Sequence, residues 1–413
     1  MHLRPLLIAA LSSAVLPLTA ATVQATSADA FVDTIGVNIH THYQGTVYDH
    51  PVNLKAALVK LGVRHVRDGL VDSSWPPYYE RLNDFAKAGI KATLITSSAI
   101  ERVLPTAMKL KDAIEAFEGP NEVNLNNWTV ERASQYQKDL WTTVRADAAW
   151  NAIPIVSLSV TDYDYGARLG DLSGVCDFGN IHPYAGGWEP ENGHNWMKAD
   201  LPSGLKGGRL FSGTKPMIVT EIGYTNHQGK TGHVAVVPEA AGVYLPRVLL
   251  NTFRHGVQRT FLYELFDLGL DPNEQEHHFG LVHNDGTTFK PAGTAMMNLI
   301  HVLADPGPSF TLGQLDVALS EPSARSQLFQ KRDGSFFLAV WLPTCLWDQS
   351  RGYGQKQYED PADKPCTVTI TPTPKRITAI SGLDTTLKRQ VLPAGKTVTV
   401  TASERVLILQ VDP

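Results

Sequence analysis

Two stretches decide the fold: Ile114-Glu-Ala-Phe-Glu-Gly-Pro-Asn-Glu-Val-Asn124 and Lys215-Pro-Met-Ile-Val-Thr-Glu-Ile-Gly-Tyr224. Each is a short apolar run that breaks into a glycine-containing loop. Each carries a glutamate at the break, Glu122 in the first and Glu221 in the second. Runs of this kind, bounded by Gly and Pro, read as strands buried on both faces. They place strands at 113–118 and 217–221, and runs of the same character lie at 34–39, 63–67, 90–96, 154–160, 178–182 and 260–264. Amphipathic segments separate several of them. Leu54, Ala57, Leu58 and Leu61 recur at helical spacing, and Leu82, Phe85 and Ala86 do so before Gly89. Buried strands alternating with helices imply a parallel sheet, and eight units over roughly 250 residues imply an α/β fold of the (β/α)8 TIM barrel type. An open doubly wound sheet fits less well, because no Gly-rich phosphate loop follows the first strand.

After the helical segment beginning Phe289-Lys-Pro-Ala, the chain breaks at Asp305-Pro-Gly-Pro and its periodicity changes. Runs starting at Ser326, Phe336, Cys366, Lys396 and Arg405 alternate with period two and are rich in Val, Thr and Phe. They predict a small C-terminal antiparallel β-sandwich. The expected domains are a signal peptide at 1–25, a barrel at 26–304 and the sandwich at 305–413. The signal reading rests on Arg4, the apolar middle from Leu6 to Leu18, and a cleavage site at Val23-Gln-Ala25. The apolar run is too short, and too interrupted by Pro17, to span a bilayer. A secreted or periplasmic protein is expected, with no membrane partner.

The chain has 413 residues, 43% of them hydrophobic and 19% charged, with a net charge of -5. No Lys/Arg stripe appears, so nucleic acid is not an expected partner. In an oxidising compartment Cys345 and Cys366 are candidates for a disulfide, leaving Cys176 as a small core residue. Other pairings remain open.

In a barrel of this type the active site lies at the C-terminal strand ends. Collected there are His40 and His42 after the first strand, Arg67 and Asp68 after the second, and Asn121 and Glu122 after the fourth. His182 and Tyr184 follow the sixth, Glu221 the seventh, and Glu264 with Asp267 the eighth. Two carboxylates on different strands are the equipment of glycoside hydrolysis. Aromatic residues near these ends are candidate sugar platforms: Trp75, Trp128, Tyr163, Tyr165, Trp188, Trp196 and Tyr224. Trp341 and Trp347 fall in the sandwich and read as core or hairpin residues. The sequon Asn127-Trp-Thr129 lies beside Glu122 and is expected to be unmodified.

Asn121-Glu122 after the fourth strand and Glu221 closing the seventh resemble the clan A glycoside hydrolases. Arg67, His182 and Tyr184 match that clan's supporting residues. The region from Phe261-Leu-Tyr-Glu264 through Phe279-Gly-Leu-Val to Lys290-Pro-Ala is also similar, and the trailing sandwich resembles family 39 and its relatives. The resemblance implies a retaining enzyme with Glu122 as acid/base and Glu221 as nucleophile. A raised pKa is expected for the first, and an ionised state held by Arg67 and Tyr184 for the second. Asn121 is expected at the sugar 2-hydroxyl, and His40 and Glu264 at other hydroxyls. Glu264 departs from the clan's pattern, standing where a stacking Trp is common. No cofactor or metal is expected; the partner is an oligo- or polysaccharide, and the protein a monomer or weak oligomer. Two rival readings are a metal-dependent amidohydrolase barrel using His40, His42 and His182, and a non-catalytic carbohydrate-binding barrel.

Overall fold

The computed structural model describes residues 20–97, 99–191, 201–229, 232–346 and 363–413. The reading of residues 1–19 as leader, and the expectations for Trp196 and Trp347, lie outside them. Among the described residues no helix is long and apolar enough to cross a membrane.

The chain opens with two short strands, β1 (Ala21–Gln24) and β2 (Thr26–Ser27), and a one-turn helix α1 (Ala28–Val32). Then come β3 (Ile35–Asn38), α2 (Pro51–Leu61), β4 (His65–Gly69), α3 (Pro76–Lys87), β5 (Lys91–Ile95), α4 (Ile100–Ala107), β6 (Ile114–Glu118), α5 (Val130–Ala146) and β7 (Ile155–Val156). The alternation continues through α6 (Tyr163–Arg168), β8 (Gly179–Ile181), α7 (Leu201–Ser212), β9 (Met217–Ile222), α8 (Pro238–Arg254), β10 (Arg259–Leu262) and α9 (Pro291–Leu303). The strands of this region pair in parallel in the order β7-β6-β5-β4-β3-β10-β9-β8. A parallel bridge between Val156 and Phe178 joins the two ends and closes the barrel. The eight predicted strands are thus all present, β7 being shorter than its apolar run. Local sequence explains the helices too. In α2 the buried residues are Leu54, Ala57, Leu58 and Leu61, one apolar stripe, and Gly62 ends the helix at φ 81°, a left-handed conformation that glycine adopts without strain.

The sandwich is built from β11 (Gln314–Leu319), β12 (Arg325–Gln330), β13 (Phe336–Trp341), β14 (Lys364–Thr371), β15 (Arg376–Ser381), β16 (Lys388–Leu392), β17 (Thr397–Ala402) and β18 (Leu407–Asp412). Its sheets have the orders β1-β11-β14-β17 and β16-β15-β18-β13-β12-β2. The domain boundaries read from the sequence therefore shift. Ala21–Gln24 pairs antiparallel with residues 314–317, and Thr26–Ser27 pairs with β12, so the sandwich takes strands from both sides of the barrel. The expected cleavage site Val23-Gln-Ala25 lies within and just after β1, where cutting would remove an edge strand.

β13 shows how the two units join. Its residues are all buried, because Phe336, Leu338 and Val340 face the sandwich core while Phe337, Ala339 and Trp341 belong to the core shared with the barrel. Period-two alternation here sends apolar side chains to two different cores. At that junction Arg247 makes bonds of 2.9 and 2.6 Å to Glu191, and Trp341 Nε1 donates to the same carboxylate at 2.7 Å.

The expected disulfide is not formed: all three cysteines are thiols. Cys366 is enclosed in the sandwich core, while Cys345 lies after β13 with its Sγ 3.8 Å from the Tyr244 hydroxyl of α8. Cys176 is a buried core residue, as its chemistry suggested.

Candidate active site

The inward side chains at the C-terminal ends of the barrel strands form a connected polar layer. Arg67, on β4 and only 2% exposed, is its centre. Its Nε and Nη2 donate to both oxygens of Glu118 on β6, each at 2.7 Å. Its Nη1 donates to Glu221 Oε1 at 2.5 Å and to Asn38 Oδ1 at 2.9 Å, and Nη2 also reaches Asn121 Oδ1 at 2.7 Å. A planar guanidinium suits this task, since one rigid fork serves four acceptors from three strand ends. Its negative partners hold its pKa above the ordinary value against the burial that pulls it down.

Glu118 is the most consequential residue that the strand-end reading missed. It is fully buried and accepts from Asn180 Nδ2 at 3.0 Å as well as from Arg67. A charged residue inside an apolar strand, four positions before Glu122, was the available signal.

Glu221 stands on β9 with its second oxygen accepting from Tyr184 Oη at 3.0 Å. Burial pushes its carboxyl up. The charges of His182 and Arg67, with hydrogen bonds from Arg67 and Tyr184, outweigh burial and hold it below the usual glutamate value. Tyr184 itself is pushed well above the usual tyrosine value, first by burial and then by the Glu221 charge.

Glu122 follows β6 with φ 41°, a left-handed conformation uncommon for a residue with a side chain. Its amide donates to Ser159 Oγ at 2.8 Å, and its carbonyl accepts from the amides of Leu125 and Asn126, which together hold the turn. Its carboxyl lies 2.8 Å from His182 Nδ1. Burial pulls the imidazole pKa of His182 down, but Glu221 and Glu122 raise it more, and the net direction is upward. One oxygen of Glu122, one of Glu221 and a ring nitrogen of His182 all lie within 4.8 Å of one another.

These groups open into a cleft of about 730 Å³, lined also by Asn121, His40, Asp68, Tyr43, Trp128, His233, Tyr263 and Glu276. Asn121 gives its amide oxygen to Arg67 and to Ser159 Oγ at 3.3 Å, which leaves its NH2 group as the donor toward the cleft. His40 lines the cleft with its ring stacked on Tyr43 at 4.5 Å.

Several expected contacts are corrected. Glu264 is fully buried behind the wall and touches no open space. It holds His40 Nε2 at 3.0 Å and accepts from Tyr48 Oη at 2.8 Å. Burial raises its carboxyl pKa, and the neighbouring His40 and Tyr48 oppose the shift. The preceding residue, Tyr263, supplies the aromatic ring at the end of β10 and donates to Glu276 at 3.1 Å. Trp188 and Tyr224 are buried core residues, joined by a bond of 2.9 Å from Tyr224 Oη to the Trp188 carbonyl, and neither lines the cleft. Of the candidate platforms among the described residues only Trp128 does, and Arg132 covers one face of its ring at 3.7 Å. Trp75 instead packs under Arg81 at 4.5 Å. Tyr163 and Tyr165 belong to the cluster that packs behind Trp128. Tyr43 and His233 come from loops and Glu276 from a single 3-10 turn (Gln275–His278), none of which carries a periodic signal.

The rival metal site is not assembled. His40 is engaged by Glu264, His42 Nδ1 lies 3.3 Å from Asp68, His182 lies on Glu122, and Asp267 pairs with Lys290 at 2.7 Å outside the cleft. The one grouping among the described residues with donor atoms close enough for an ion is Glu122, His182 and Glu221. There the Arg67 guanidinium already supplies positive charge against Glu221.

No protein-family model and no curated protein matches the chain. Solved structures do. The chain is similar to a family 39 glycoside hydrolase from Bacteroides cellulosilyticus WH2, with a TM-score of 0.62 and 17% identity over 94% of this chain and 82% of that one. It is similar to a monomeric beta-xylosidase from Caulobacter crescentus CB15, with a TM-score of 0.59 and 16% identity over 96% and 98% of the two chains. It is also similar to an alpha-L-arabinofuranosidase from Thermotoga maritima, solved with arabinose, at a TM-score of 0.63 and 11% identity over 92% and 96%. At these identities what is shared is architecture, and the chain has the same barrel-and-sandwich fold as these glycosidases.

Proposed function

We propose that this protein is a retaining glycoside hydrolase that cleaves O-glycosidic bonds of an oligo- or polysaccharide by double displacement. The observation that carries the proposal is the spacing of Glu122 and Glu221, whose nearest oxygens lie within 4.8 Å. Retaining enzymes hold their carboxyls about 5–5.5 Å apart, whereas inverting enzymes leave about 6.5–9.5 Å for a water.

Glu221 is the nucleophile. Arg67 and Tyr184 each bind one of its oxygens and keep it ionised until it attacks the anomeric carbon. Glu122 is the acid/base: it protonates the leaving oxygen, then removes a proton from the water that hydrolyses the glycosyl-enzyme. Asn121 donates to the sugar 2-hydroxyl, a bond that strengthens as positive charge grows on the ring. Tyr263, Tyr43 and Trp128 give the cleft its apolar surface. The fold likeness to a beta-xylosidase and an arabinofuranosidase supports a pentoside or related sugar as the first to test.

Secretion, or export to the periplasm, is part of the proposal. β1 begins at Ala21, so we place removal of the leader before that residue rather than at Ala25.

Paired variants test the chemistry. Glu221→Ala abolishes turnover of every glycoside. Glu122→Ala spares activated aryl glycosides, whose leaving groups need no proton, and azide rescues it by attacking the trapped intermediate. Normal turnover by Glu221→Ala on any substrate overturns the assignment.

A further inference from the structure

His182 lies between the two glutamates, and what lies behind it determines which of its nitrogens carries hydrogen. Its Nε2 is 2.8 Å from Thr220 Oγ1. The threonine hydroxyl has one hydrogen and two other neighbours, Asn180 Oδ1 at 2.7 Å and Glu118 Oε1 at 3.2 Å. The orientation of the Asn180 amide is fixed, because its nitrogen donates to Glu118 Oε1 at 3.0 Å and to the Ser157 carbonyl at 3.2 Å, neither of which donates. Its oxygen therefore faces Thr220. Glu118 in turn accepts both forks of Arg67. Donating to His182 Nε2 instead would take the hydroxyl hydrogen from buried Asn180 Oδ1, which it reaches at 2.7 Å, so the hydroxyl donates to Asn180 and offers a lone pair to His182. Nε2 must then carry hydrogen.

We propose that Thr220 is a positioning residue that locks His182 with hydrogen on Nε2, so that Nδ1 and Glu122 share a single proton. With Nε2 occupied, a neutral ring presents a bare Nδ1, which accepts from the protonated Glu122 carboxyl. A cationic ring donates from Nδ1 to the Glu122 carboxylate. Either way one proton is held at the 2.8 Å contact between them. That proton leaves for the glycosidic oxygen in the first step and is replaced from water in the second. The groups facing the ring are Glu122, Glu221 at 3.7 Å, and Arg67, with Tyr184, Glu118 and His233 beyond them. The two glutamates favour the extra proton on the ring and Arg67 opposes it. The consequence for catalysis rests on the glycosidase reading; the tautomer does not.

Thr220→Val removes the hydroxyl at nearly constant volume and leaves an Nε2 hydrogen without an acceptor. The neutral ring then turns over to carry hydrogen on Nδ1, which donates to a deprotonated Glu122. For a glycoside with a poor leaving group, the basic limb of kcat/KM moves down by about one pH unit, about tenfold less acid form at a given pH on that limb. Thr220→Ser, which keeps the hydroxyl, restores the wild-type limb. The second readout is the 15N spectrum of histidine-labelled protein, with His182 assigned from a His182→Asn variant. Wild type and Thr220→Ser show a protonated Nε2 on the basic limb, and Thr220→Val shows a bare one. A bare Nε2 in the wild type, an unchanged tautomer in Thr220→Val, or a basic limb that does not move overturns the proposal. If the tautomers are as stated and no glycoside is cleaved by any of these proteins, the glycosidase reading has failed and the hydrogen-bond relay stands.

Discussion

Replacing Arg67 with methionine tests the polar layer most severely. The substitution keeps an unbranched apolar stem in the barrel and deletes bonds to Glu118, Glu221, Asn38 and Asn121. Glu118 is fully buried and Glu221 is 8% exposed, so both carboxylates lose their cation where water replaces it poorly. Breaking a buried pair from one side costs about 3–5 kcal/mol, because the remaining charge keeps its desolvation penalty. Here one cation serves two carboxylates, so the upper part of that range applies. Urea unfolding followed by far-UV circular dichroism measures the loss as a fall in midpoint at constant slope. The pH dependence carries a sign. In the wild type Glu221 titrates below its unfolded value, so its contribution is present above the unfolded pKa and is lost as pH falls through the folded one. Without Arg67, burial has less to oppose it and the folded pKa rises. The variant's deficit therefore narrows as pH falls toward the ordinary carboxylate range of about 4. Loss of less than about 1 kcal/mol at neutral pH, or a deficit that widens on acidification, refutes this account of Arg67.

Two further outcomes follow from the same structure. Tyr184→Phe removes one of the bonds that lower the Glu221 pKa, so the acid limb of kcat/KM moves to higher pH by up to about one unit while the fold melts as before; a fixed limb contradicts the role given to Tyr184. Chains started at Ala21 and at Thr26 differ by β1, so the second loses the pairing with β11 and is the less stable in urea; equal stability shows that the strand contributes nothing to the sandwich.

The barrel was legible because most of its strands, buried on both faces, carry apolar runs such as residues 217–219, even though polar residues such as Arg67, Glu118 and Thr220 interrupt them. The sandwich was legible only where strands alternate cleanly. β16 is exposed at nearly every position, so no pattern marks it, and β1 lies where small and β-branched residues also suit a cleavage region. At the site, the strand-end rule brought together Arg67, Asn121, Glu122, His182, Tyr184 and Glu221, all of which converge on the cleft or its floor. The rule says which strand end a residue occupies and not which way it turns. That is why Glu264 was expected in the cleft where Tyr263 stands. Trp188 and Tyr224 mislead for a related reason, since a large aromatic after a strand fills a core as readily as it floors a subsite.

The central claim is that Glu122 and Glu221 act as acid/base and nucleophile across a gap too narrow for an attacking water. The most direct measurement is the anomeric configuration of the first product, read by proton NMR in the opening minutes of hydrolysis before mutarotation. Retention of the substrate's configuration is the predicted result; release of the opposite anomer contradicts the account.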